Sequence, residues 1–413
     1  MSEEQTARSK EIEAAKETVA EFLAFVRSRP PEPQVVPALA KVLDVPRHVT
    51  ITALLETALN EACCLYPGLA DLDLHAAILP ARNDDLYQSS ERLEQFRAKW
   101  HDHAPGAFHA IMKACSVNLY DRASQIATQL LGRSSMLNSL SARNLYLLLV
   151  ETTQLGAHQL FFTLYERCIA IPGCIPEHSL TRCTRTYANL RNDRYKTLQF
   201  VSLGTDCVPW DVGNRWGFRP FLTEDRQQLP MNLCAQTAHS CETILADGLA
   251  GFSDASQYAT FRCAYGFDIG RHRGYGILFN HECGEFWLAN GCERLVKRYQ
   301  ARVANFYSFA IKGPRVYVLY VPWNINLSEI EGRLADLAAD DDYRLLVLDV
   351  RSTGNELRPT RPSTIVRKIE VPSGNFVWWQ AFDTERGVRF ELAIHDAMAD
   401  AANHLTDKAV IPR

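Results

Sequence analysis

Phe200-Val201-Ser202-Leu203-Gly204-Thr205-Asp206-Cys207 is the stretch on which the reading of this chain turns. A short apolar run meets a glycine turn, a cysteine follows, and Val208 to Trp216 can wind into a helix. Strand, turn and helix in that order present a nucleophile at the top of a sheet in many hydrolases. A cysteine that opens a helix lies where the partial positive charge of the helix end favours its thiolate. Taken without its neighbours, Cys207 is equally a small buried side chain. The backbone around Gly204, Thr205 and Asp206 is the natural place to bind an oxyanion.

Downstream, strand-like and helix-like segments alternate. Leu198 to Leu203, Tyr275 to Asn280, Arg315 to Val321 and Arg344 to Val350 read as apolar, β-branched strands. Gln236 to Leu249, Asn290 to Ile311 and Leu327 to Ala339 read as helices between them. The alternation predicts an α/β region with a mostly parallel sheet flanked by helices. The tail adds strands over Thr364 to Val371, Phe376 to Phe382 and Gly387 to Leu392, then a closing helix over Ala393 to Leu405. Their short spacing predicts an antiparallel edge. Function in open α/β sheets gathers beyond the C-terminal strand ends. That rule selects the loops carrying Gly204 to Cys207, Asn280 to Cys283, Pro322 to Asn324 and Asp349 to Ser352.

Upstream, the apolar residues fall three or four apart, the spacing of helix faces. Glu11 to Arg27, Val35 to Leu43, Ile51 to Leu65, Leu86 to Trp100 and Ala107 to Cys115 read as helices. Tyr120 to Leu131, Ala142 to Thr153, Ala157 to Ile171 and Glu177 to Leu190 continue the series. Pro30, Pro31 and Pro33 stop the first helix, and Thr50 is a candidate cap for the third. These segments predict an all-α helical bundle or solenoid-like stack over residues 1–195, ahead of an α/β domain over 196–413. The helical half reads either as a partner-binding surface or as a scaffold packed on the α/β domain.

A net charge of −4 without a block of like charges argues against a nucleic-acid surface. Met1 to Lys10 has no apolar core of an export signal, and no apolar run is long enough to span a membrane. A cytoplasmic location is the expectation. The chain has 12 cysteines but no Cys-x-x-Cys pair, so reduced thiols and no metal are expected. His101-Asp102-His103 reads as a solvated pair, and the two His-x-Cys pairs at His239 and His281 as coincidence. Gly266 to Gly276 lacks the Gly-Lys-Ser/Thr ending of a nucleotide loop and reads as a flexible connection. No cofactor is implied.

His281 ends an apolar strand and is placed to take a thiol proton and return it to a leaving group. A third residue should orient the imidazole. Asn232 and Asp349 are the candidates. Trp287 and Trp323 would contact sugar if the chain were instead a carbohydrate-modifying enzyme.

The second half also resembles a family of bacterial proteins of unknown function grouped with the papain-like cysteine peptidases. Ser202-Leu203-Gly204-Thr205-Asp206-Cys207 matches the family's opening element, and Gly217-Phe218-Arg219 its next step. Phe279-Asn280-His281 matches the histidine step, and Tyr299 to Phe306 the helix that follows it. Where the family has Pro-Phe-Asp-Trp, this chain has Pro230-Met231-Asn232-Leu233. The resemblance spans about residues 198–350. It implies a Cys-His site at Cys207 and His281, with Asn232 in the aspartate's place. The expected chemistry is that of a hydrolase or acyl transferase on a peptide, acyl or glycan substrate. A non-catalytic binding or assembly protein remains the alternative from a different class.

Overall fold

The computed structural model describes residues 3–46, 48–83, 85–116, 119–153, 158–218, 229–232, 234–263, 268–311, 313–338 and 342–406. Twelve α-helices precede the first strand among these residues. They are α1 (Glu3–Arg27), α2 (Glu32–Leu43), α3 (Val49–Leu65), α4 (Ala70–Ile78), α5 (Leu86–Lys99) and α6 (Ala104–Ser116). Then come α7 (Tyr120–Leu131), α8 (Ser134–Ser139), α9 (Ala142–Thr152), α10 (His158–Ala170), α11 (Glu177–Arg191) and α12 (Asp193–Thr197). Neighbours in sequence pack against one another, so the stack is built from local contacts. Val19, Val26, Val35, Leu39, Leu55 and Leu59 form one core under the first helices. Phe96, Phe108, Ile111, Tyr146, Phe161 and Leu164 form a second. A Cβ on Gly106 would lie 2.1 Å from the Phe96 ring, so glycine lets α6 approach α5. His48, not Thr50, caps α3, its imidazole accepting from Thr50 N–H. α2 begins before the expected residue because Pro33 sits in its first turn, where a missing N–H costs nothing.

The second half contains β1 (Gln199–Ser202), α13 (Val208–Arg215), α14 (Ala238–Ala246), β2 (Tyr258–Arg262), β3 (Asp268–His272) and β4 (Ile277–Cys283). It continues with α15 (Glu285–Asn305), β5 (Arg315–Val321), α16 (Leu327–Leu337), β6 (Tyr343–Asp349), β7 (Thr364–Lys368), α17 (Trp378–Ala381) and α18 (Glu385–Thr406). β1, β5, β6 and β7 form a parallel sheet in the order β1-β5-β6-β7. Alternate residues face opposite sides of a strand. Val316, Val318, Leu346 and Leu348 accordingly join a core with α13 and α18. Tyr317, Leu319, Leu345 and Val347 join the core on the other face, with α14, α15 and α16.

Five expectations are corrected. The strand carrying His281 is not part of the parallel sheet: β2, β3 and β4 make a separate antiparallel sheet. Much of the glycine-rich segment read as a connection is β3 itself, and Tyr275 just beyond it is buried. The tail is helical where strands were expected at Phe376 to Phe382 and Gly387 to Leu392. Val388, Phe390 and Leu392 mimic strand alternation. Their continuation through Ile394, Ala397, Met398, Ala401 and Leu405 follows the helical period, and these residues are buried in α18. Finally, β7 runs parallel to β6, not antiparallel, because the long 350–363 connection crosses back over the sheet end. The helix expected from Asn290 starts earlier, and α15 is interrupted at Asn290, Gly291 and Cys292, which all have positive φ.

Candidate functional site

The site is assembled on the turn between β1 and α13. Gly204 has φ +85°, and a Cβ there would fall 1.6 Å from Gln236 Nε2, so any other residue is strained and must displace Gln236. Thr205 follows at φ +62°, a strained conformation for a β-branched residue. It is held by its hydroxyl on the Tyr320 carbonyl and by its own carbonyl, which accepts from Gln236 N–H at 3.3 Å. This turn places Cys207 at the N-cap of α13, half-buried between Trp210 and the core beneath the sheet.

Gln236 connects the nucleophile turn to the second sheet. Its Nε2 donates to Leu203 O at 2.9 Å. Its neighbour Ala235 exchanges backbone bonds of 3.1 and 3.0 Å with Leu278 of β4. His281 lies three residues beyond Leu278 on the same strand and is half-buried. It therefore reaches the region from an antiparallel sheet laid against the turn, not from the parallel sheet's own edge.

The electrostatics around Cys207 correct the expected thiolate. Its Sγ donates to Asp206 Oδ1 at 3.2 Å, and its N–H to the same oxygen at 2.6 Å. Asp211, one helical turn along α13, is a second carboxylate partner of the thiol. Burial first, then these two negative groups, push the thiol well above its ordinary range. The helix end favours a thiolate, but by less than two carboxylates and burial disfavour it. At rest Cys207 is a protonated thiol.

Asp211 is the residue that sequence reasoning missed. Burial raises its carboxyl pKa, while Arg215, then His281, then the Cys207 hydrogen bond act in the opposite direction. Asp211 thus interacts with the Cys207 thiol and, through charge alone, with His281. Its signal was the four-residue spacing from Cys207, which puts both on one face of α13. Arg215, another turn along, continues that face to Glu391 of α18, with Nη2 and Oε1 3.0 Å apart. Glu151 on α9 interacts with Arg215 and Asp211, and its carboxyl is pushed up to about 7 by burial, which outweighs Arg215 and is reinforced by Asp211.

The two expected orienting residues lie differently. Asp349 is committed to Arg351, whose Nε and Nη2 donate at 2.9 and 3.1 Å, and to Lys368 at 3.4 Å. Burial alone would raise its pKa, but these partners hold it below the usual carboxylate range. Asn232 is fully buried after Leu229, whose carbonyl receives its N–H. No hydrogen bond joins either side chain to His281 among the described residues. In the oxyanion turn, Gly204 N–H is bonded to Ser202 Oγ at 3.2 Å and Cys207 N–H to Asp206. The N–H groups of Thr205 and Asp206 make no hydrogen bond among the described residues. Arg219, Leu233 and Gly266-Phe267 lie outside the described residues.

No group of three or more His, Cys, Asp or Glu side chains suited to a metal occurs among the described residues. All 12 cysteines are free thiols. His101 is an exposed partner of Asp102 at 3.0 Å, and His103 Nδ1 accepts from Gly106 N–H. Trp287 is buried beside Tyr87 and Phe286 and offers no platform for a sugar, whereas Trp323 is 45% exposed. No described helix is long and apolar enough to cross a membrane.

No family model matches the chain, no curated protein matches it, and no solved structure matches it. The resemblance to the papain-like group therefore rests on short motifs alone.

Proposed function

We propose that the chain is a Cys-His hydrolase or acyl transferase acting through Cys207. The observation that carries this reading is the tie from the Cys207 turn through Gln236 and Ala235 to β4, the strand of His281, beside a carboxylate, Asp211, that interacts with the thiol and with the imidazole charge. Because the thiol is protonated at rest, the nucleophile is generated during reaction, not stored as a thiolate. The thiol hydrogen passes to the Asp211–His281 pair as Sγ bonds to a substrate carbonyl carbon. The carbonyl π-bond opens to an oxyanion received by the Thr205 and Asp206 N–H groups. The pair returns the proton to the leaving group as the carbon–leaving-group bond breaks. Water or another acceptor then releases the acyl group from sulfur by the reverse sequence. Asp211 joins Asn232 and Asp349 as a candidate third residue, favoured by its charge interaction with His281. The substrate class is an acyl compound, with amide and ester as the first candidates.

The test is a panel of activated esters, thioesters and amides, with mass spectrometry of the intact chain to trap an acyl adduct. The expected result is an adduct on Cys207 that is absent in Cys207→Ser and greatly slowed in His281→Ala. Turnover that persists in Cys207→Ser would overturn the proposal. One observation favours a second reading: a thiol held by two carboxylates is a poor nucleophile, as in a binding protein that keeps the fold without turnover. Absence of any adduct across the panel, with Cys207 alkylated no faster than the buried cysteines, would favour that reading.

A further inference from the structure

The strand that carries His281 is irregular at the histidine itself. Consecutive residues of β3, Ile269 and Gly270, pair with Cys283 and Phe279 of β4. Asn280, His281 and Glu282 are therefore extra residues, looped out opposite no β3 partner. Bulges of this kind re-aim side chains, and they concentrate beside active sites. A three-residue bulge is not held by the sheet ladder, so something else must fix its shape.

That function falls to the neighbour of His281. Glu282 turns away from solvent and is 1% exposed, as is Arg302 of α15. Arg302 Nη2 donates to Glu282 Oε1 at 2.7 Å, and Arg298 Nε lies 3.3 Å from the same oxygen. The Arg302 guanidinium sits 4.6 Å from the centre of the Tyr299 ring. Within the bulge, Cys283 Sγ donates to Asn280 O at 3.1 Å. On the other side of His281, Leu278 is tied through Ala235 and Gln236 to the nucleophile turn. A buried ion pair costs its desolvation and contributes little net stability over an apolar pair of the same volume. Its clearest effect here is directional.

We propose that the Glu282–Arg302 pair is a positioning device for His281. By drawing Glu282 onto α15, it locks the bulge so that the adjacent imidazole faces the Cys207–Asp211 end of α13. Arg302 and Glu282 act through His281 and touch no substrate. The inference rests on the Cys-His reading.

The experiment follows the pH profile of Cys207 alkylation by iodoacetamide, read by peptide mass spectrometry, together with the imidazole NMR titration of His281. His281→Ala is the reference, and is expected to shift the alkylation profile. Removing one partner alone would strand a buried charge, so the main variant is the neutral pair Glu282→Gln/Arg302→Met. Circular dichroism and a thermal melt establish that it is folded. The expected result is an alkylation profile like that of His281→Ala, a change of threefold or more at neutral pH, and an altered His281 titration. Glu282→Asp keeps the charge but shortens the reach, and is expected to give an intermediate profile if the neutral pair does not fold. Arg302→Lys, which retains the charge, is expected to recover most of the wild-type profile. A folded neutral pair, or Glu282→Asp in its place, with the wild-type profile while His281→Ala is shifted would overturn the positioning role alone. An unshifted His281→Ala would overturn the Cys-His reading and this inference with it.

Discussion

At the scale of single residues, two carboxyl groups decide how Cys207 behaves. Asp211 raises the thiol pKa, so Asp211→Asn is expected to lower it and to speed alkylation at pH 8 several-fold. Acyl transfer should nonetheless fall in the same variant, because the proton acceptor is gone. An alkylation rate unchanged by Asp211→Asn would show that the thiol is governed by burial alone. Glu151 carries a second prediction, for stability. Its folded pKa is raised to about 7, above its unfolded value, so the native state binds the extra proton between the two. The penalty for ionising it is absent below the unfolded pKa, grows as pH rises through about 7, and then stays constant. Glu151→Gln is therefore expected to be more stable than wild type at pH 8, by on the order of 2 kcal/mol, with the difference vanishing toward pH 4. Urea denaturation at both pH values checks the sign. Cys207 and His281 were marked as candidates by a glycine turn and by the end of an apolar run, although β4 continues past His281 to Cys283. Asp211 was not, because an aspartate inside a short amphipathic helix is indistinguishable from a solvated one until burial is known.

At the scale of elements, the turn from β1 into α13 is the most constrained backbone in the site. Gly204→Ala must both adopt φ +85° and displace Gln236, whose Nε2 would lie 1.6 Å from the new Cβ. The expected cost is about 2–4 kcal/mol, from a positive-φ penalty and a broken buried hydrogen bond. Because Gln236 also leads through Ala235 to β4, Gly204→Ala should uncouple Cys207 from His281 even where the chain folds. Chemical denaturation measures the first effect and the pH profile of alkylation the second. A variant with wild-type stability would contradict the close packing. The parallel strands were readable because β5 and β6 are buried on both faces, which leaves nearly continuous apolar runs. β2 and β3 were missed for the opposite reason: they are short, and Arg262, Arg271 and much of β2 face solvent. The tail was misread because the opening of α18, Val388 to Leu392, alternates like a strand before its helical period can be seen.

At the scale of the whole molecule, the helical and sheet-bearing halves share one buried ionic cluster. Glu391 of α18 accepts from Arg215 Nε at 3.1 Å, Trp216 Nε1 at 2.9 Å and Trp378 Nε1 at 3.2 Å. Arg182 of α11 lies 3.5 Å from the same carboxylate and donates to Phe382 O at 2.8 Å. Asp383, just before α18, meets Tyr146 of α9 at 2.6 Å and also pairs with Arg143. Helical periodicity made the two halves visible in sequence. It could not show that charged residues more than two hundred positions apart are buried together, since each reads as a surface group alone. The change of secondary structure at residue 195 therefore lies beside buried contacts that join the two halves. This has a mechanical consequence. Glu391 is fully buried, and replacing it with Leu would leave Arg215 and Arg182 without their shared carboxylate. Stranding buried charge costs about 3–5 kcal/mol. If the cluster joins the halves, Glu391→Leu should lower the stability of both, and tryptophan fluorescence should report the same midpoint as helical circular dichroism. If the halves unfold separately, the substitution should move only the transition of the sheet-bearing half, which holds Trp210, Trp216 and Trp378, and leave a second helical transition at its wild-type midpoint. Arg182→Met on the helical side should then reproduce the coupled loss in the first case and spare the tryptophan transition in the second.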